Sequence, residues 1–79
     1  MNKYYTIIIP IFNESSIIPK LLSDLKQFKN IGHEIIIIDD GSTDDSFKIL
    51  SKYKFIKLIK LHKNHGKGIA LKIGMNSAS

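Results

Sequence analysis

Three short apolar runs punctuate the chain: Tyr5 to Ile9, Glu34 to Ile38 and Phe55 to Leu61. Each is rich in β-branched or aromatic residues, which predicts strands. The second contains Ile35, Ile36, Ile37 and Ile38 in succession, with no polar alternation. A strand of that kind is covered on both faces, so it is expected at the centre of a parallel sheet.

Between and after these runs the spacing becomes helical. Ile17, Ile18, Leu21, Leu22, Leu25 and Phe28 recur at i, i+4, i+7 intervals, while Lys20, Asp24 and Lys26 fill the other face. Pro19 fits only in the first turn, and Asn13 to Ser16 offer caps. A second helix is expected to begin at Ser42, with Asp45 three residues on as a shorter variant of the capping box, and to run through Phe47, Leu50 and Tyr53. A third starts near Lys67 and carries Ile69, Ala70, Ile73 and Met75.

Strand and helix alternating three times is the order of a three-layer, Rossmann-like α/β domain with a mainly parallel sheet. In such sheets ligands bind beyond the carboxyl ends of the strands. That rule selects Pro10 to Glu14, Asp39 to Asp44 and Lys63 to Gly68.

Each of these segments has two readings. Asp39 and Asp40 leave the most apolar strand, where a carboxylate can accept the N–H donors of a nucleobase edge or a ribose hydroxyl; equally, both can bond backbone amides in a turn, with Gly41 supplying positive φ. Asp44 and Asp45 read as first-turn charges favoured by a helix dipole. Pro10-Ile11-Phe12-Asn13-Glu14 joins a rigid proline, an aromatic face and a carboxylate, against which a base or sugar can lie; the alternative makes Phe12 a core residue and Asn13 a helix cap. Asn64-His65-Gly66-Lys67-Gly68 places amides and a lysine where a phosphate can be held, or forms a plain turn. It matches neither a Walker A loop, which needs glycine at Leu61 and Ser or Thr at Gly68, nor a dinucleotide fingerprint, which needs glycine at Leu71. His62 and His65 lack an evident third partner for a metal, and His33 reads as a surface loop residue.

Composition narrows the partners. With 43% hydrophobic and 24% charged residues and two prolines, the chain is globular in character. All twelve basic residues are lysines, scattered from Lys3 to Lys72, and they give a net charge of +5. No arginine cluster interleaved with aromatics is present, so nucleic-acid binding is not expected. There is no cysteine, which removes disulfides and thiolate metal sites. The opening residues lead into an apolar run broken at Pro10 and Asn13, too short for a signal peptide or a membrane span, so a cytoplasmic location is expected.

Read together, Ile7-Ile8-Ile9-Pro10-Ile11-Phe12-Asn13-Glu14, the stretch from Glu34 to Asp44 and Asn64 to Gly68 resemble glycosyltransferase family 2, particularly the dolichyl- or polyprenyl-phosphate sugar transferases. The resemblance covers nearly the whole chain. It implies the nucleotide-binding half of a GT-A fold and an inverting transfer from a UDP- or GDP-sugar to a lipid-phosphate or saccharide acceptor, at the cytoplasmic face of the membrane in the complete enzyme. By the same resemblance Pro10, Phe12 and Glu14 line the nucleotide pocket, Ile38 and Asp40 meet the base, Asp39 supports the turn and Lys67 faces the nucleotide or its diphosphate. Many relatives have tyrosine where this chain has Phe12.

Members of the family also carry an Asp-x-Asp motif that holds Mg²⁺ or Mn²⁺ on the diphosphate, and a later carboxylate that acts as base. Neither occurs in residues 1–79, so the segment is expected to be truncated before them, to bind weakly and to be inactive alone. The competing reading is a non-catalytic flavodoxin-like signalling or binding module, such as a receiver domain. Receiver domains place an acidic pair after the first strand and a phosphorylated aspartate after the third. Here the acidic pair follows the second strand, and His62 to Asn64 follow the third.

Overall fold

The computed structural model describes residues 3–78. In chain order its elements are β1 (Thr6–Ile11), α1 (Ile18–Asn30), β2 (Glu34–Asp40), α2 (Ser46–Leu50), β3 (Lys57–Leu61) and α3 (Lys67–Ser77). The strands form one sheet in the order β1-β2-β3, with both pairings parallel. The isoleucine-rich strand is therefore central, as its lack of alternation predicts.

Period-two geometry sends successive β2 side chains to opposite faces. Ile35 and Ile37 join Ile11, Ile18, Leu22, Leu25 and Leu50 on the side covered by α1 and α2. Ile36 and Ile38 pack with Ala70 of α3 on the other. All four isoleucines are buried. Each contributes about 1.5–3 kcal/mol of transfer free energy, so this one strand anchors both layers.

The helix over β2 packs through small residues. Ala70 and Gly74 are the buried positions of α3, whereas Ile69 and Met75 are 51% and 65% exposed. A Cβ on Gly74 would lie 2.5 Å from Ile8 Cγ2 and 2.7 Å from Ile38 Cδ1. Close approach of the α3 backbone to the sheet, not insertion of its large apolar side chains, sets that contact.

Several boundaries differ from expectation. β1 runs through Pro10 to Ile11, with Pro10 in register with Ile38. Among the described residues β1 pairs with β2 alone, and proline's missing N–H is tolerated there. β2 continues to Asp40, and β3 starts at Lys57 instead of Phe55. Pro19 does sit in the first turn of α1, but the helix has no side-chain cap, because the capping position falls on Ile17, past the polar residues Asn13 to Ser16. α2 begins at Ser46, not Ser42, and ends before Tyr53. No capping box forms: Ser42 N–H donates to Asp39 Oδ1 at 2.9 Å, and Ser42 Oγ accepts from Asn13 N–H at 3.0 Å. His33 is half-buried, its Nδ1 accepting from Tyr5 N–H at 3.0 Å, so it is not a plain surface residue.

Candidate functional site

The carboxyl ends of the three parallel strands gather the loops 12–17, 41–45 and 62–66 at one end of the sheet. The first two are joined by side-chain hydrogen bonds. Asn13 sits at φ 51°, a left-handed conformation that asparagine tolerates better than most residues. Its Oδ1 accepts from Thr43 N–H at 2.7 Å and from Asp44 N–H at 3.2 Å. Glu14 N–H donates to Ser46 Oγ at 3.1 Å, and Ser15 N–H donates to Asp44 Oδ2 at 3.3 Å.

Asp44 is the reciprocal half of this joint, since its Oδ1 also accepts from Ser46 N–H at 2.9 Å. Hydrogen bonding by the Ser46 side chain, followed by the amides of Ser46 and Ser15, holds the Asp44 carboxyl below its ordinary value against an opposing effect of desolvation. The dipole reading of Asp44 and Asp45 is revised accordingly. The first turn of α2 contains no acidic residue, and Asp44 acts through two specific amides, that of Ser15 and that of Ser46 at the start of the helix.

Asp39 and Asp40 point to opposite faces and do different work. Asp39 Oδ1 accepts from Ser42 N–H, as expected of a turn-supporting residue, while its Oδ2 is buried without a hydrogen-bond partner. Asp40 is 2% exposed and reaches the α3 side, where Oδ1 accepts from His65 N–H at 2.8 Å and Oδ2 from Gly66 N–H at 3.0 Å. The carboxylate thus occupies the anion position at the start of α3. The amides that the sequence offered to a phosphate are the ones it engages.

Gly41 permits this closure. Its φ is +76°, and a Cβ there would lie 2.5 Å from Asn64 N and closer still to the Lys63 carbonyl carbon. The 62–66 loop therefore rests directly on the Asp40-Gly41 peptide.

Phe12 is 42% exposed and belongs to neither core cluster, so the core alternative does not hold. Glu14 is half-buried, and its Oε1 accepts from Phe12 N–H at 3.4 Å, drawing the carboxylate back beside the ring-bearing residue. Pro10 is half-buried in β1. Ile38 has no exposed surface and lies inside the α3-side core. Lys67 is exposed at the first residue of α3. Phe12, Glu14, Asp40 and Lys67 thus share one end of the sheet, with Pro10 and Ile38 beneath them in register.

Sequence reasoning had no means of finding the Asn13–Asp44 joint. Its bonds span about thirty residues and depend on two loops meeting, although Asn13, Ser42 and Asp44 are all residue types that readily bond backbone amides. Among the described residues no group of three or more His, Cys, Asp or Glu side chains is placed to hold a metal ion, and no helix is long and apolar enough to cross a membrane.

Residues 6–79 match the family model described as Glycosyl transferase family 2. The chain belongs to that family. Among curated members, a dolichyl-phosphate beta-glucosyltransferase of Dictyostelium discoideum is 39% identical over 88 residues, covering 94% of this chain and 27% of the relative. An undecaprenyl-phosphate 4-deoxy-4-formamido-L-arabinose transferase of Proteus mirabilis is 35% identical over 81 residues, covering 92% of this chain and 25% of the relative. The chain thus spans about a quarter of the length of the curated relatives it matches.

Solved glycosyltransferases share the fold, which is the α/β arrangement of the GT-A type. The mannosyltransferase PcManGT from Pyrobaculum calidifontis, in complex with GDP-Man and Mn²⁺, superposes with a TM-score of 0.85 at 22% identity over 95% of this chain and 24% of its own. S. aureus TarS, residues 1–349, gives 0.85 at 28% identity over 98% of this chain and 25% of its own.

Proposed function

We propose that this family 2 segment forms the nucleotide-binding part of an inverting glycosyltransferase. The complete enzyme moves a sugar from a UDP- or GDP-sugar to a lipid-phosphate or saccharide acceptor at the cytoplasmic face of a membrane. The carrying observation is the convergence of an exposed aromatic face, Phe12, with the carboxylates of Glu14 and Asp40 at the carboxyl end of a parallel sheet. Relatives named for dolichyl and undecaprenyl phosphate support the lipid-phosphate acceptor, and PcManGT with GDP-Man supports a nucleotide-sugar donor.

In this reading Phe12 offers a flat apolar surface to the base, where stacking contributes about 0.5–1.5 kcal/mol beyond burial. Pro10 and Ile38 support the floor beneath it. Two of the roughly four lone-pair sites of the Asp40 carboxylate are taken by His65 and Gly66, leaving acceptor capacity for a base N–H once the 62–66 loop lifts. Lys67, exposed at the start of α3, supplies positive charge toward the diphosphate.

The described residues do not make a metal site, and no step is assigned to a metal within this segment. Mg²⁺ or Mn²⁺ belongs, in this reading, to residues outside it, as does the base that deprotonates the acceptor. Family membership favours the transferase over the flavodoxin-like signalling module.

Calorimetric titration of the full-length protein with UDP and GDP tests the assignment. One nucleotide is expected to bind, and Asp40→Ala to weaken it by about 1.5–3 kcal/mol, the value of a hydrogen bond to a charged group, with Asp40→Asn partly tolerated. Unchanged affinity in the alanine variant would remove Asp40 from base recognition. Labelling by acetyl phosphate with no nucleotide binding would favour the signalling module.

A further inference from the structure

We propose that Asn13 is a positioning residue for donor binding, holding Phe12 and Glu14 at a fixed angle to the end of β2 through its grip on the 42–46 segment. This inference rests on the nucleotide-binding reading above and goes beyond the residues that reading uses. Asn13 lies between the two, and both its N–H and its Oδ1 are spent on the other loop. Its N–H donates to Ser42 Oγ at 3.0 Å, while its Oδ1 accepts from Thr43 N–H at 2.7 Å, Asp44 N–H at 3.2 Å and Thr43 Oγ1 at 3.4 Å. The neighbouring residues repeat the connection, Glu14 N–H to Ser46 Oγ at 3.1 Å and Ser15 N–H to Asp44 Oδ2 at 3.3 Å.

The pattern is directional. Each backbone N–H of residues 13–15 finds a side-chain oxygen of the 42–46 segment, and the return bonds come from that segment's amides to Asn13. A turn that only needed to start α1 would have no use for this, because α1 begins at Ile18 without a side-chain cap. What the bonds do fix is the backbone on both sides of Asn13. Its φ of 51° reverses the chain immediately after Phe12, leaving that ring exposed instead of packed into the core below. Residues fixed by such surrounding bonds present their ligand-facing groups without a conformational cost at the moment of binding.

Two requirements are separable at this position: tolerance of positive φ, and an acceptor at Oδ1. Asn13→Gly keeps the first and loses the second. Asn13→Asp keeps both. Asn13→Ala loses both.

The test compares UDP and GDP affinity of these variants of the full-length protein by calorimetry, at a temperature where circular dichroism shows each fully folded. Asn13→Ala and Asn13→Gly are expected to weaken the preferred nucleotide by about tenfold, one hydrogen bond's worth of misdirected contact, and Asn13→Asp to stay within about threefold of the parent. A merely structural role would lower the melting temperature and leave affinity in the folded variants unchanged. Parent-like affinity in Asn13→Gly therefore overturns the positioning role while the nucleotide-binding reading stands. A parent protein that binds neither nucleotide overturns that reading first, and this inference with it. Should Asn13→Ala and Asn13→Gly fail to fold, Ser42→Ala removes a single bond of the joint; a loss of about threefold in affinity supports the inference, and no loss overturns it.

Discussion

Replacing Asp40 by alanine should weaken the carboxyl end of the sheet substantially, even without ligand. The side chain is 2% exposed and holds His65 N–H at 2.8 Å and Gly66 N–H at 3.0 Å, both at the start of α3. A hydrogen bond to a charged group contributes about 1.5–3 kcal/mol, so two set an upper bound of about 6 kcal/mol. His65 is exposed and Gly66 half-buried, so water replaces part of what is lost. We therefore expect about 2–3 kcal/mol of destabilisation, a large share of the roughly 4–12 kcal/mol usual for a chain of this length. In a thermal melt followed by circular dichroism this corresponds to a fall in Tm of roughly 10–20 °C. Asparagine retains one acceptor but turns an N–H₂ group toward the second amide, and should cost about half as much. Amide exchange at His65 and Gly66 should accelerate in both variants. If Asp40→Ala melts within about 2 °C of the parent, the carboxylate does not hold the loop and the geometry has been misread.

Further outcomes follow from the same end of the sheet. Gly41→Ala places a Cβ against the backbone of Lys63 and Asn64 at φ +76° and should cost more than about 3 kcal/mol in denaturant unfolding, whereas Gly68→Ala, which meets nothing within 4 Å inside α3, should gain about 0.5–1 kcal/mol. Equal effects of the two would refute the close approach of the 62–66 loop. The Asp44 carboxyl is held below its ordinary value, so its contribution to stability is present above the unfolded value of about 3.9 and is lost as pH falls through the lower folded value. Urea midpoints measured from about pH 6 to about pH 2.5 should therefore fall less steeply in Asp44→Asn than in the parent; parallel curves would show that Asp44 carries no linkage.

The central strand, the three βα units and the start of α3 at Lys67 were legible in the chain itself. Four isoleucines without alternation can be satisfied only by cover on two faces, and Pro19 can enter a helix only in its first turn. The three loops that gather at the carboxyl end were legible for the same reason, because parallel strand order alone brings them to one edge. These are statements about which side chains leave water, and local spacing reports them directly.

Which groups bond to which was decided by the tertiary structure. Asp40 and Asp39 are adjacent in sequence, yet the pleat sends one to the amides at the start of α3 and leaves the other with a turn amide and an unpartnered oxygen. Ser42 and Asn13 have the residue types of caps, but each finds the other loop nearer than a helix end, and α2 starts late as a result. Ile69 and Met75 have the apolarity expected of a buried helix face, but the sheet accepts α3 at the backbone of Gly74 and so selects its small residues for contact. A polar group takes the partner that folding brings within about 3 Å, and no local pattern contains that distance.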